Sequence, residues 1–244
     1  MNGSFAVYYR EMVILKRKIF KQIASMAVSP LLYLAAFGFA MGRDFDMDGM
    51  TYMQFLVPGL VAMASMTQAF SIASEINISR FYWHIFEEFQ SAPLANVQYV
   101  IGEVAAAITR ALLAVSVIMV LALCFGVTLS INLYFVGAIV INAALFGSVA
   151  VICAMLVKSH ADQSLVTSFI ITPMAFLGGT FFPLDRMPGA VQAILKLLPL
   201  THAAKAIRTS AHGGVPPLFS YALLLVLFGV FFSIAIICVN KARN

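Results

Sequence analysis

Few residues in this sequence could do chemistry, and where they stand narrows what that chemistry is. The four histidines, His84, His160, His202 and His212, all fall in connections between apolar runs. Nucleophilic catalysis within those runs would need a nucleophile and a base at facing depths, and the histidines supply no such pair. Cys124, Cys153 and Cys238 lie inside apolar runs without CxxC spacing, so they read as small core side chains, with neither a metal site nor a disulfide framework indicated. None of the seven lysines has the G-x-x-x-x-G-K-[ST] context that cradles nucleotide phosphates, so no catalytic residue and no cofactor is expected in the chain itself. No Asp or Glu stands in the middle of an apolar run, which removes the carboxylates of a proton relay.

What remains is polar residues at helical spacing. Ser65, Gln68 and Ser71 repeat at i+3, and Ser164, Ser168 and Thr172 repeat at i+4 ahead of Pro173, which frees the carbonyl of Phe169. Such stripes could line a substrate path, or pack helices at about 0.6 kcal/mol per hydroxyl. Glu103 stands near the end of its run, where water can reach it, but Arg110, nearly two turns further in, needs a partner or a long snorkel. A third set, Phe81, Trp83, Phe86, Glu87, Glu88 and Pro93, combines aromatic anchors with charge. That mixture suits a protein-binding surface and equally an aromatic belt at lipid head groups. Pro93 pushes its predecessor out of the helical region, so a short helix from about Arg80 to Ser91 is expected there.

The elements that position these residues follow from composition. Of 244 residues 62% are apolar and 10% charged, with mean hydropathy +0.96, which excludes a water-soluble globular fold. Stretches free of charge give six expected spans, at residues 22–42, 53–74, 99–125, 133–157, 163–183 and 217–240. The third and fourth come from one uncharged run, Ala111 to Val157, whose only hairpin chemistry lies between Gly126 and Asn132. The expected fold is an all-α integral membrane protein of a single transmembrane domain.

Sidedness rests on Arg10, Lys16, Arg17, Lys18 and Lys21 ahead of the first span, which place both termini in the cytoplasm. Residues 1–21 read as an interfacial helix with Phe5, Tyr9, Met12, Val13, Ile19 and Phe20 on one arc and Arg10, Arg17 and Lys21 opposite. Such a helix can anchor on anionic lipid or dock a cytoplasmic partner. Residues 184–212 break the rule, because Arg186, Lys196, Lys205 and Arg208 fall on the outer side. Within them Val191, Ile194, Leu195 and Leu198 make a short helix, at about 11 residues too short to cross, so the segment re-enters or lies in the outer leaflet.

Three places resemble the permease subunits of type-2 ATP-binding-cassette exporters, which move drugs, lipo-oligosaccharides or polysaccharide precursors. YMQFLVPGL from Tyr52 to Leu60 is similar to the family's start of span two. IFEEFQSAPL from Ile85 to Leu94 resembles its coupling helix. LGGTFFPLDRMP from Leu177 to Pro188, with PLTHAAKAIR from Pro199 to Arg208, is similar to its C-terminal signature, carried by Gly178, Gly179, Pro183, Pro188, Pro199, His202 and Arg208.

The resemblance implies a dimer of permeases, homomeric or with a paralogue, on two separate cytoplasmic ATPase subunits that bind ATP and Mg. Spans two and five would line the path, residues 80–93 would form the coupling helix, 1–21 the connecting helix, and 184–212 re-entrant outer helices. It also implies a bacterial or archaeal cytoplasmic membrane and no nucleic-acid partner. The rival readings are a self-sufficient channel or ion-coupled carrier, which the missing acids disfavour, a lipid-modifying enzyme, for which no catalytic pair can be assembled, and an importer or assembly permease of the same fold.

Overall fold

The fold was described from a computed structural model, over residues 3–40, 46–47, 50–83, 85 and 94–243. In chain order these form α1 (Gly3–Arg17), α2 (Ile19–Ala40), the two-residue strands β1 (Asp46–Met47) and β2 (Met50–Thr51), α3 (Tyr52–Phe70), α4 (Ile72–Phe81), α5 (Asn96–Cys124) and α6 (Leu133–Leu156). Then follow α7 (His160–Val166), a π-helical turn (Thr167–Ile171), α8 (Thr172–Leu177), a 3₁₀ turn (Leu184–Arg186), α9 (Gly189–Leu195), α10 (Pro199–Ala211) and α11 (Leu218–Arg243).

Five helical stretches among the described residues are long and apolar enough to cross a membrane: Ile19–Gly38, Tyr52–Phe81, Asn96–Cys124, Leu133–Leu156 and Leu218–Ala242. The chain is a mostly helical membrane protein; among the described residues the only strands are the β1–β2 pair, which is antiparallel with Asp46 opposite Thr51. The segment expected to cross at 163–183 holds a helical run from His160 to Leu177 whose hydrogen bonding loosens to π geometry in the middle.

The Tyr52–Phe81 stretch forms the centre. In its most apolar part 83% of residues are buried, against 17% for α2 and for α11, which present their apolar surfaces outward. A reciprocal cap starts α3: the Thr51 hydroxyl accepts from the Gln54 N–H at 3.4 Å, and Gln54 Oε1 accepts from the Thr51 N–H at 3.0 Å. Fully buried Leu56, Leu60, Val61 and Met66 pack α3 against α5, α6 and α10. At Ser71 the helix is interrupted; the Ser71 hydroxyl donates back to the Gln68 carbonyl at 2.7 Å, a bond that bends helices.

The loop between α5 and α6 is tied to α10. Asn132 caps α6 by accepting from the Phe135 N–H at 2.8 Å, while its amide donates to the Ser210 carbonyl at 2.8 Å. Neither α9, of seven residues, nor α10, of thirteen, is long enough to cross, yet α10 buries Leu200, Ala203, Ala206 and Ile207 between α3, α6 and α11.

Candidate functional site

The start of α3 and the segment after α8, separated by more than a hundred residues, meet at one junction. Gly59 makes the approach possible: a Cβ there would stand 2.4 Å from the Thr180 carbonyl oxygen and 3.0 Å from the Thr180 Cα, and backbone cannot yield as a flexible side chain does. Gly179 turns the chain with φ +78°, a conformation L side chains rarely adopt. Arg208 of α10 closes the junction. Its Nη2 donates to the Gly179 carbonyl at 2.8 Å and its Nε to the Phe55 carbonyl at 3.3 Å, while its guanidinium lies 3.8 Å above the Phe55 ring. The Tyr52 hydroxyl donates to the Phe181 carbonyl at 3.0 Å, and Phe181 packs edge-on against Tyr33 of α2 and stacks on Phe176.

The other expected signature residues border this junction. Gly178 lies under Leu200, Pro183 precedes the 3₁₀ turn, Pro188 precedes α9, and Pro199 occupies the first turn of α10, where its missing N–H is harmless. A His202 ring nitrogen lies 2.9 Å from the Lys196 carbonyl, and its ring meets Phe219 edge-on. Above the junction opens a cavity of about 520 Å³, bounded by both segments and the start of α11.

A second junction, of charges, lies at the opposite end of α3–α4, where α1 packs on α5. Arg110 is 1% exposed and grips Glu75 with both terminal nitrogens, Nη1 to Oε1 at 2.8 Å and Nη2 to Oε2; its Nη2 also lies 3.5 Å from Glu11 Oε2. Glu11 is buried with Val7 and Leu15 on the protein-facing side of α1, while Phe5 and Tyr9 stack on each other on the exposed side. Burial holds the Glu11 carboxyl above the ordinary carboxylate range, against the pull of Arg10, whose Nη1 donates to it at 3.1 Å, and of Arg110. Arg17 and Lys21 are exposed. Glu103, expected to be wet, is fully buried, and among the described residues neither of its oxygens has a hydrogen-bond partner.

The sequence reading missed Glu11 and Glu75 as partners of Arg110. The available signal was one acid among the N-terminal cations and one acid just past the expected end of span two, both at the depth of an arginine that needed a counter-charge.

The polar stripes separate. Ser65 is fully buried, donating to the Ala62 carbonyl and accepting from the Asn142 amide of α6, each at 2.8 Å, which is helix packing. Gln68 and Thr172 instead line one cavity of about 250 Å³ between α2, α3, α5 and α8, together with Ser25, Ser29 and Thr67. Ser71 spends its hydroxyl on its own helix, as does Ser164, which with Ser168 stands on the exposed face of the 160–177 run.

In the 80–93 segment the described helix runs on to Phe81, and Phe81, Tyr82 and Trp83 are exposed. Arg80 donates to the Met155 carbonyl at 2.7 Å, and the Asn77 amide to the Val157 carbonyl at 2.8 Å, so α4 is docked on the end of α6. Phe86, Glu87, Glu88 and Pro93 lie outside the described residues.

Comparison with known proteins covers most of the chain. Residues 4–212 match the family described as ABC-2 type transporter. The inner membrane transport permease YadH of Escherichia coli (strain K12) is 30% identical over 222 residues, covering 89% of this chain and 86% of that protein. Nodulation protein J of Rhizobium meliloti (strain 1021) is 32% identical over 206 residues, covering 83% and 79%, and that of Sinorhizobium fredii (strain NBRC 101917 / NGR234) is 27% identical over 239 residues, covering 95% and 91%. Both segments of the Arg208 junction and all three members of the charge junction fall inside the matched region, and the chain belongs to the ABC-2 type transporter family.

Proposed function

We propose that this chain is the membrane subunit of an ATP-driven exporter in the inner membrane, paired with a second permease and served by two separate ATPase subunits. The observation that carries the reading is the match to an ABC transporter family across residues 4–212 of a sequence in which no nucleotide-binding P-loop occurs, which supports an ATPase acting in trans. The cations ahead of α2 support a cytoplasmic N-terminus, and the 160–177 run, about 27 Å long at 1.5 Å per residue, is long enough with the chain that follows it to serve as a sixth span. Its exposed Ser164, Ser168 and Phe169 supply a face for a second permease, and residues 80–93 supply the coupling surface for the ATPase. Closure of the ATPases then drives a hydrophobic or amphiphilic substrate, drawn from the cytoplasm or inner leaflet, outward.

The test is purification of the full chain from its native membrane in mild detergent. A stoichiometric ATPase subunit with vanadate-sensitive activity is the expected result, and its loss in a Glu87→Ala, Glu88→Ala variant that still folds would assign the coupling surface. Repeated recovery of a solitary chain that transports without nucleotide would overturn the proposal in favour of a channel or ion-coupled carrier.

A further inference from the structure

The cavity of about 520 Å³ above the Arg208 junction lies at the end of α3 opposite to α1, and its charge is one-sided. Lys196, Lys205 and Arg208 line it, with His202 beside them and, among the described residues, Asp185 as the only lining acid. Among the described residues none of these three cations has a carboxylate within salt-bridge distance; Arg208 is held by carbonyls, and Lys196 and Lys205 are exposed. Such a cluster on the outer side runs against the distribution of Lys and Arg in membrane proteins, so topology alone does not account for it. The remaining walls are mostly apolar, from Phe55, Pro183, Leu184, Pro217 and Phe219, with Thr201 and Ser220 among them. Cations in a low-dielectric concavity attract an anion more strongly than the same cations on open surface. The volume lies within the roughly 300 to 1,000 Å³ of small-molecule sites and far exceeds a lone phosphate, which favours an anionic head with apolar matter attached.

We infer that this cavity is a binding site for the phosphate group of an amphiphile, with Lys196, Lys205 and Arg208 as its counter-charges and the ring of Phe219 beside its apolar part. The inference rests on the exporter reading for direction only: a substrate driven outward would meet this site last.

The experiment is native mass spectrometry of the purified full chain with dioleoyl phosphatidic acid, dioleoyl phosphatidylcholine and inorganic phosphate as separate probes. Phosphatidic acid is expected to bind more tightly than phosphatidylcholine. A Lys196→Gln, Lys205→Gln variant, in which no hydrogen bond of either side-chain amine to the described residues is lost, should weaken phosphatidic acid by about thirtyfold at the usual strength of lysines facing anionic lipid. A Lys16→Gln, Lys18→Gln control on the opposite face should leave that site intact. Displacement by inorganic phosphate at equal concentration would keep the anion site and assign it to the free ion, whereas lipid-only binding assigns the head group. Unchanged phosphatidic acid binding in the Lys196, Lys205 variant overturns the inference. Because no ATPase is needed, failure here with a co-purifying ATPase sinks the site alone, and binding without one sinks the exporter reading alone.

Discussion

Replacing Arg110 by methionine, which keeps an unbranched apolar stem and deletes the guanidinium, strands the acids of the charge junction unequally. The Glu75 side chain is 37% exposed and rehydrates, but that of Glu11 is 5% exposed and is left, among the described residues, with the Arg10 guanidinium as its remaining counter-charge. Breaking a buried pair in this way is destabilising by about 3 to 5 kcal/mol. At about 2 to 4 °C per kcal/mol for a chain of this size, thermal unfolding in detergent, followed by circular dichroism, should show a midpoint roughly 6 to 20 °C lower. Adding Glu11→Gln to Arg110→Met should restore about 0.5 to 3 kcal/mol, since it removes a stranded charge. The pH dependence has a definite sign. A carboxyl raised by burial contributes stability below its unfolded value of about 4.3 that is lost as pH rises through its folded value. Arg110 opposes that rise, so without it the deficit should narrow as pH falls from about 8 to about 5. A wild-type midpoint in Arg110→Met, or a Glu11→Gln effect that simply adds to it, would refute the argument.

Three further outcomes follow from the geometry. Gly59→Ala forces α3 away from the Thr180 backbone and should destabilise by about 1 to 3 kcal/mol in the same unfolding assay. Arg208→Lys retains the charge but cannot reach the Phe55 and Gly179 carbonyls together while stacking on Phe55, and a loss of about 2 to 3 kcal/mol is expected, with a destabilisation under about 0.5 kcal/mol counting against the junction. Ser65→Ala should cost about 0.6 kcal/mol and leave substrate-stimulated ATPase activity unaltered, whereas Thr172→Val, which changes the wall of the 250 Å³ cavity, should alter it.

The long helices were legible because charge is so expensive in a bilayer that its absence marks them, and the polar residues from Gly126 to Asn132 marked the one break inside an uncharged run. The same logic ended span two at Ser74, yet the helix continues to Phe81, because Glu75 and Arg80 are neutralised by Arg110 and by the carbonyl end of α6. A charge rule reads isolated residues and has no view of partners in other helices. The Ser164, Ser168, Thr172 stripe was drawn at 3.6 residues per turn, and the π-helical turn between Thr167 and Ile171 alters that register, so Thr172 alone of the three reaches the cavity shared with Gln68. The close approach at Gly59 left no mark beyond a glycine in an apolar run, since only the fold reveals which backbone it meets.

The helix from Tyr52 to Phe81 is fastened at both extremities, by Tyr52, Phe55 and Gly59 on one side and by Glu75, Asn77 and Arg80 on the other. Among the described residues its only interruption lies at Ser71. Mechanically it is a pinned rod with a single joint. A push on its Arg80 end is either absorbed by bending at that joint or delivered, some 38 Å away at about 1.5 Å per residue, to Phe55, the ring that floors the cavity beside Arg208. In the ATP-driven cycle proposed above, stiffness at one serine would therefore set how much of a stroke delivered at one end of the helix arrives at the other.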